Sequence, residues 1–195
     1  MNTVPAGTAE ARPNQREHIL DTALQLMSER GATGMSMRQL AAACDLQVAA
    51  IYHYFESKDA LLAAVVAERR YGARMVDPLP VDPVAAPAER LADLYRVVFA
   101  GAMEEQSIWR LLIGEGMRGE PTVLPVGREL LDLMIPAARG WLETTVPELA
   151  DPAGAAELLV GQMVVGFVRS VFQPELDTAE IAEAGVRTLT AALFP

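Results

Sequence analysis

The stretch Ser36–Lys58, SMRQLAAACDLQVAAIYHYFESK, constrains the fold of this chain more than any other. Ser36 is a good N-cap, and Met37, Leu40, Ala41 and Cys44 follow at the spacing of one apolar helical stripe. Asp45 interrupts the run. Leu46, Ala50, Ile51, Tyr54 and Phe55 then form the stripe of a second short helix. Two such helices joined by a tight polar turn outline a helix-turn-helix. The second helix leaves Gln47, Val48, Ala49, Tyr52 and His53 facing outward, a compact and mostly uncharged surface able to enter a DNA major groove.

Gly31, Ser36, Leu40, Ala41, Ile51-Tyr52-His53-Tyr54-Phe55, Ser57-Lys58 and Leu61-Leu62 together resemble the DNA-binding signature of the tetracycline-repressor (TetR/AcrR) family. The match runs from about Gln15 to Val66, roughly a quarter of the chain. It departs from the family pattern at three points. Asp45 stands where the turn usually has Gly, Gln47 where the recognition helix usually has a Ser or Thr cap, and Ala49-Ala50 where Gly-Thr is common. Asp tolerates a left-handed backbone better than most residues, so the fold survives while base preference does not transfer. The resemblance implies phosphate contacts by Tyr52 and Lys58, the chain's single lysine. The residues themselves add Ser36 as a helix cap that can also meet a phosphate. Arg38 and Gln39 sit on the outer face, and Gln47 and His53 are suited to reading base edges. Arg12 and Arg16 are further candidates for phosphate or minor-groove contact.

The rest of the chain has no alternating strand pattern, and its 13 prolines cluster between apolar helical segments. The expected fold is all-α, with an arm over 1–13, a helix-turn-helix domain over 14–58 and a helical ligand-binding and dimerisation domain over 59–195. Helices are expected at about 14–30, 57–76, 88–103, 106–116, 126–144 (kinked at Pro136), 153–172 and 178–193. The fourth, through Glu68-Arg69-Arg70-Tyr71, would link head to body as a lever. The net charge of −10 divides into −1 over residues 1–58 and −9 beyond, so the acidic bulk lies away from the DNA-facing end. A lone Cys44, a polar start and an apolar run (Leu158–Val168) too short to span a bilayer point to a cytoplasmic protein without a membrane partner.

The 153–172 helix is apolar around most of its girth, which calls for cover on all sides. Gly161 and Gly166 would let another helix approach, and the resemblance implies a homodimer through the last two helices. Expected interface residues are Leu159, Val160, Val164, Val168, Val171, Ile181 and Val186. The resemblance also implies a small-molecule pocket, for which the adaptable or flat side chains Met103, Trp109, Leu112, Met117, Met134, Trp141, Met163 and Phe167 are the candidates. Gly114–Gly119 matches G-x-G-x-x-G, but no strand precedes it, so it reads as a loop. Two histidines, one cysteine and no metal-spaced cluster argue against an enzyme, a metal site or a cofactor. The expected function is a homodimeric regulator of palindromic operator DNA, a repressor released by a small apolar effector. The alternative is a ligand-independent regulator or activator with a filled C-terminal core.

Overall fold

The computed structural model describes residues 14–68 and 80–194, and every regular element among them is an α-helix. The expected arm at 1–13 with Arg12, and the segment through Arg69, Arg70 and Tyr71 to Val76 expected to continue the fourth helix, lie outside the described residues.

Helix α1 (Gln15–Gly34) begins under Asn14, whose side chain accepts a hydrogen bond from the Arg16 amide at 3.2 Å. Ile19, Leu20, Ala23 and Met27 recur at helical spacing and are all buried. At Gly31 the backbone swings to φ +75°, ψ 158°, a conformation that excludes most side chains, and the helix breaks there before one further turn. Helices α2 (Met37–Ala43), α3 (Val48–Tyr54) and α4 (Lys58–Glu68) complete the head. Leu40, Ile51, Phe55, Leu61, Leu62 and Val65 close on the inner face of α1.

That core does not end with the head. Helix α6 (Gln106–Met117) lies along α1, and its Ile108, Leu111 and Leu112 belong to the same buried cluster. Burying one such side chain contributes about 2 kcal/mol, so the three supply on the order of 5 kcal/mol to the join. A second cluster gathers Leu91, Leu94, Tyr95, Val98 and Phe99 of α5 (Pro87–Glu104) with the C-terminal half of α7 (Leu124–Thr145), α8 (Pro152–Phe172) and α9 (Thr178–Leu193). Tyr95 and Phe99 stack one turn apart, with ring centroids at 5.7 Å. They form a ridge that fits two notches. A Cβ at Gly185 of α9 would collide with the Tyr95 ring and hydroxyl, and one at Gly166 of α8 would lie 2.6 Å from the Phe99 ring. Gly166, expected to admit a partner helix, therefore seats a side chain of its own chain; Gly161 is the glycine left open.

The helix ends fall close to their expected positions because local chemistry sets them. Proline occupies the first turn of α5, α7 and α8, Asp151 accepts from the Gly154 amide, and Asp177 from the Glu180 amide. Two expectations need correction. Gly114 and Gly116 are helical, not loop, since α6 continues to Met117 with Leu111, Leu112 and Glu115 turned inward. And α8 is longer than the apolar run suggested: 21 residues with mean hydropathy 1.5, enough by length and composition alone to cross a membrane. The core helix of a globular protein meets the same measure; here Ala155, Ala156, Leu159 and Gly166 are buried against neighbouring helices, while the rest of α8 is exposed or half-buried.

Candidate nucleic-acid interface and the cavity behind it

The turn between α2 and α3 is a Schellman cap. The Leu46 amide donates to the Ala41 carbonyl at 2.8 Å, the Asp45 amide to Ala42 at 3.3 Å, and Asp45 holds φ +55°. Asp45 thus takes the left-handed position that glycine would fill. Ahead of the turn, a capping box opens α2: the Gln39 amide donates to Ser36 Oγ, and the Ser36 amide to Gln39 Oε1. Gln39 is exposed, but its carboxamide oxygen is already engaged, whereas the Ser36 hydroxyl keeps its own proton to donate. Arg38 is exposed and makes no ion pair among the described residues.

Helix α3 presents Gln47, Ala49, Tyr52 and His53 to solvent, with Val48 half-buried beneath them and Ile51 fully buried. Gln47 precedes the first turn of α3 without a side-chain capping bond, so its carboxamide is uncommitted. The far end of α3 is braced. Tyr54 donates its hydroxyl proton to Gln15 Oε1 at 3.1 Å, and Phe55 is buried beneath the Arg16 guanidinium, 5.3 Å from ring centroid to Arg16 Cζ. Arg16, a candidate for phosphate contact, is engaged within the head in this structure. Both its terminal nitrogens bond Glu68 of α4 at 2.6 and 2.5 Å, and the carboxylate raises the guanidinium pKa. Lys58 is half-buried, donating from Nζ to the Thr33 carbonyl at 3.0 Å, so this expected phosphate contact also ties α4 to the end of α1. Cys44 is buried, and desolvation pushes its thiol up, the behaviour of a small core residue.

Sequence reasoning missed the residue that joins head to body. Glu115 of α6 is 2% exposed, and its Oε1 accepts from the Ala32 amide at 2.6 Å and from Arg118 Nη1 at 3.0 Å. A Cβ on Gly31 would stand 3.2 Å from both Glu115 Oε1 and Arg118 Nη1, a tight approach added to the positive φ that already favours glycine there. The only signal in the sequence is a glutamate among the apolar residues of α6, and its partner lies 83 positions away.

On the other side of α6 are two neighbouring cavities that share part of their walls. An inner chamber of about 60 Å³ is walled by Phe99, Ala102, Met103, Trp109, Ile113, Met134, Met163, Val164 and Phe167. A wider cleft of about 300 Å³ runs between α6 and α7, past Leu112, Gly116, Val123, Gly127, Arg128 and Leu131, and shares Trp109, Ile113 and Met134 with the chamber. Of the expected pocket residues, five line the chamber, Leu112 lines the cleft, and Trp141 borders a small void with Val160 and Met163. Met117 lines none of them, being 84% exposed at the end of α6. Phe99 and Ile113 were missed, although each lies one turn from a residue that was named.

The expected partner-facing set also divides. Leu159, Ile181 and Val186 are buried inside this chain, and Val160 is half-buried. The three buried residues belong to the core shared by α5, α8 and α9 and offer little surface to a second subunit. Val164, Val168 and Val171 are exposed, and with Leu158, Val165 and Phe172 they leave an apolar strip along α8.

Residues 19–65 match the sequence model of the family described as bacterial regulatory proteins, tetR family. Among curated relatives, the transcriptional regulator BetI of Rhizobium meliloti is 29% identical over 111 residues, 55% of either chain. The chain spans about half the length of the curated relatives it matches first. A TetR-like transcriptional regulator from Rhodococcus sp. RHA1 superposes with a TM-score of 0.68 at 26% identity, over 94% of this chain and 97% of that one. AibR, solved with isovaleryl coenzyme A and operator DNA, shares the fold with a TM-score of 0.60 at 22% identity, covering 89% and 96%.

Proposed function

This chain belongs to the tetR family of bacterial regulatory proteins, and on that premise we propose that it is a sequence-specific transcriptional regulator, working as a homodimeric repressor that a small, largely apolar ligand releases from operator DNA. The observation that carries the reading is the α3 surface. Gln47, Ala49, Tyr52 and His53 stand exposed on a short helix held from behind by Ile51, Phe55 and the Tyr54–Gln15 bond. Among the described residues, none covers the face in front of them. Gln47 and His53 read base edges, while Tyr52, Ser36, Arg38 and Lys58 meet phosphates.

One such head offers a small interface, and pairing two of them aligns both with successive major grooves, about 34 Å apart. The exposed strip on α8 supports that pairing. Leu158, Gly161, Val165, Val168 and Phe172 alternate three and four residues apart, the spacing of a helix–helix seam, and Gly161 at its middle is open. A dimer built on this strip would cover the apolar residues that α8 leaves in solvent. DNA binding also sets the site of action, the cytoplasm.

Release follows from α6, which lines both cavities with one face and holds α1 with the other. A ligand that wedges between α6 and α7 favours a conformer in which α6 has shifted, and the head moves with it through Glu115 and Ala32. Ligand and operator then oppose each other by the same factor in both directions. AibR, whose structure holds an acyl-coenzyme A together with operator DNA, is a neighbour in fold for which both partners are known. The test is a set of operator titrations. Tyr52→Phe should weaken binding to all sequences alike and Gln47→Ala should change base preference. A uniform loss for Gln47→Ala would remove it from the reading set, and a tight ligand that leaves operator affinity unchanged would end the release mechanism.

A further inference from the structure

The cleft between α6 and α7 has one charged residue in its wall, Arg128. The chamber behind it has none. The chain carries 26 acidic side chains against 16 basic ones, and Arg16, Arg90, Arg96, Arg118 and Arg139 each meet a carboxylate. Arg128, like Arg30, Arg38, Arg110 and Arg169, meets none among the described residues, and of these it alone lines a cavity wall. An exposed cation without a carboxylate partner, in the wall of an otherwise apolar cleft, is placed to receive an anion from outside.

We infer that the ligand of this cavity is a single-headed amphiphile, an aliphatic chain ending in one carboxylate, with the carboxylate on Arg128 and the chain directed past Trp109, Ile113 and Met134 toward Phe99 and Phe167. This rests on the reading that the cavity takes a ligand, and narrows it. Shape and charge both select the class. Arg128 and Met134 lie six residues apart on α7, about 9 Å along the helix axis, so a two-carbon acid held by Arg128 cannot reach the chamber and a medium-length chain can. A polyanionic head is disfavoured because one guanidinium is the whole cationic complement of the cleft, and Glu129 and Asp132 follow it on the same helix. Guanidinium and carboxylate match in geometry, two parallel donors facing two acceptors.

The decisive contrast uses decanoate and decanol, each below its micelle or solubility limit, titrated into the full-length chain by calorimetry. An apolar cavity without a cation would favour decanol, because stripping water from a carboxylate costs more than from a hydroxyl. The expected result is the reverse, with decanoate tighter by roughly three- to tenfold. Arg128→Gln, a change at an exposed position, should erase that preference and leave decanol unchanged. Affinity should also rise from hexanoate to decanoate by up to about fourfold per added methylene. Gly127→Leu should weaken both ligands by narrowing the cleft, since a Cβ there meets nothing within 4 Å and the larger side chain has room to enter. If decanoate and decanol bind alike, or Arg128→Gln leaves decanoate binding intact, the carboxylate inference is overturned while the cavity reading stands. If neither compound binds the unaltered chain, both fall.

Discussion

Replacing Glu115 with alanine should loosen the head from the body, and the structure fixes the size of the effect. The Ala32 amide is buried and donates to Glu115 Oε1 at 2.6 Å across that interface. Without the carboxylate it loses a charge-assisted partner and, if water does not follow, stays unsatisfied at a cost of about 1–3 kcal/mol. The space vacated in a packed interface adds about 1 kcal/mol more. Arg118 loses its partner too, but its side chain is 57% exposed and regains water, so that part is below about 1 kcal/mol. The total is about 2–4 kcal/mol. For a chain of this size that corresponds to a melting temperature lower by about 5–15 °C. Two controls separate the causes. Glu115→Gln keeps an acceptor for Ala32 and should cost about 1 kcal/mol, while Arg118→Ala removes only the exposed partner and should cost less. Thermal and urea unfolding of the three variants gives the order directly. If Glu115→Ala and Arg118→Ala prove equally mild, the carboxylate does not seal α6 to α1 and the proposed coupling route loses its anchor.

Four further perturbations follow from the same geometry. Asp45→Gly relieves a left-handed non-glycine residue and should stabilise the chain by about 0.5–1 kcal/mol in urea unfolding; a loss of stability would mean that the Asp45 side chain has a structural role of its own. Gly185→Ala drives a methyl into the Tyr95 ring and should destabilise by about 1–3 kcal/mol, whereas Gly161→Ala, at an open position, should not. Val164→Glu places a charge on the α8 strip and should give monomers in sedimentation with sharply reduced operator affinity; a dimer of normal mass would put the interface elsewhere. In acid, hydrogen bonds from Arg90 and Arg96 hold the Glu148 and Glu183 carboxyls below their ordinary value of 4.5. Their contribution is therefore present above about pH 4.5 and is lost as pH falls through the lowered values. At the other extreme, burial pushes the Tyr95 phenol up to about 12, so stability should decline between pH 10 and 12, and Tyr95→Phe should flatten that decline.

Where the sequence is punctuated by local chemistry, it was readable. Ser36, Asp45, Pro87, Pro152 and Asp177 act on their own few neighbours, and the helix-turn-helix and most helix ends follow from them. Periodicity likewise found the apolar side of each helix. It did not say what covers that side. Leu159, Ile181 and Val186 satisfy the same pattern as Val164 and Val168, but the first three face α5 and its neighbours while the others face solvent. Gly166 and Gly161 are equivalent on paper, and only the position of Phe99 distinguishes them. The contacts that tie the molecule together were beyond reach for a related reason. Arg16 meets Glu68 across 52 residues and Glu115 meets Ala32 across 83, and in each case one partner looks like an ordinary surface charge. Arg128 was invisible as a cavity residue because its meaning depends on which carboxylates are absent around it.

Whether α3 reads duplex DNA from a twofold pair of heads is tested most directly by sequencing the DNA that the full-length chain retains from a random pool. One enriched palindrome is expected, its half-sites centred about one helical turn apart, with altered half-site bases when Gln47→Ala is selected in parallel. Retention of the same palindrome after Gln47, Tyr52 and His53 are all replaced by alanine, or enrichment of no symmetric site at all, would contradict it.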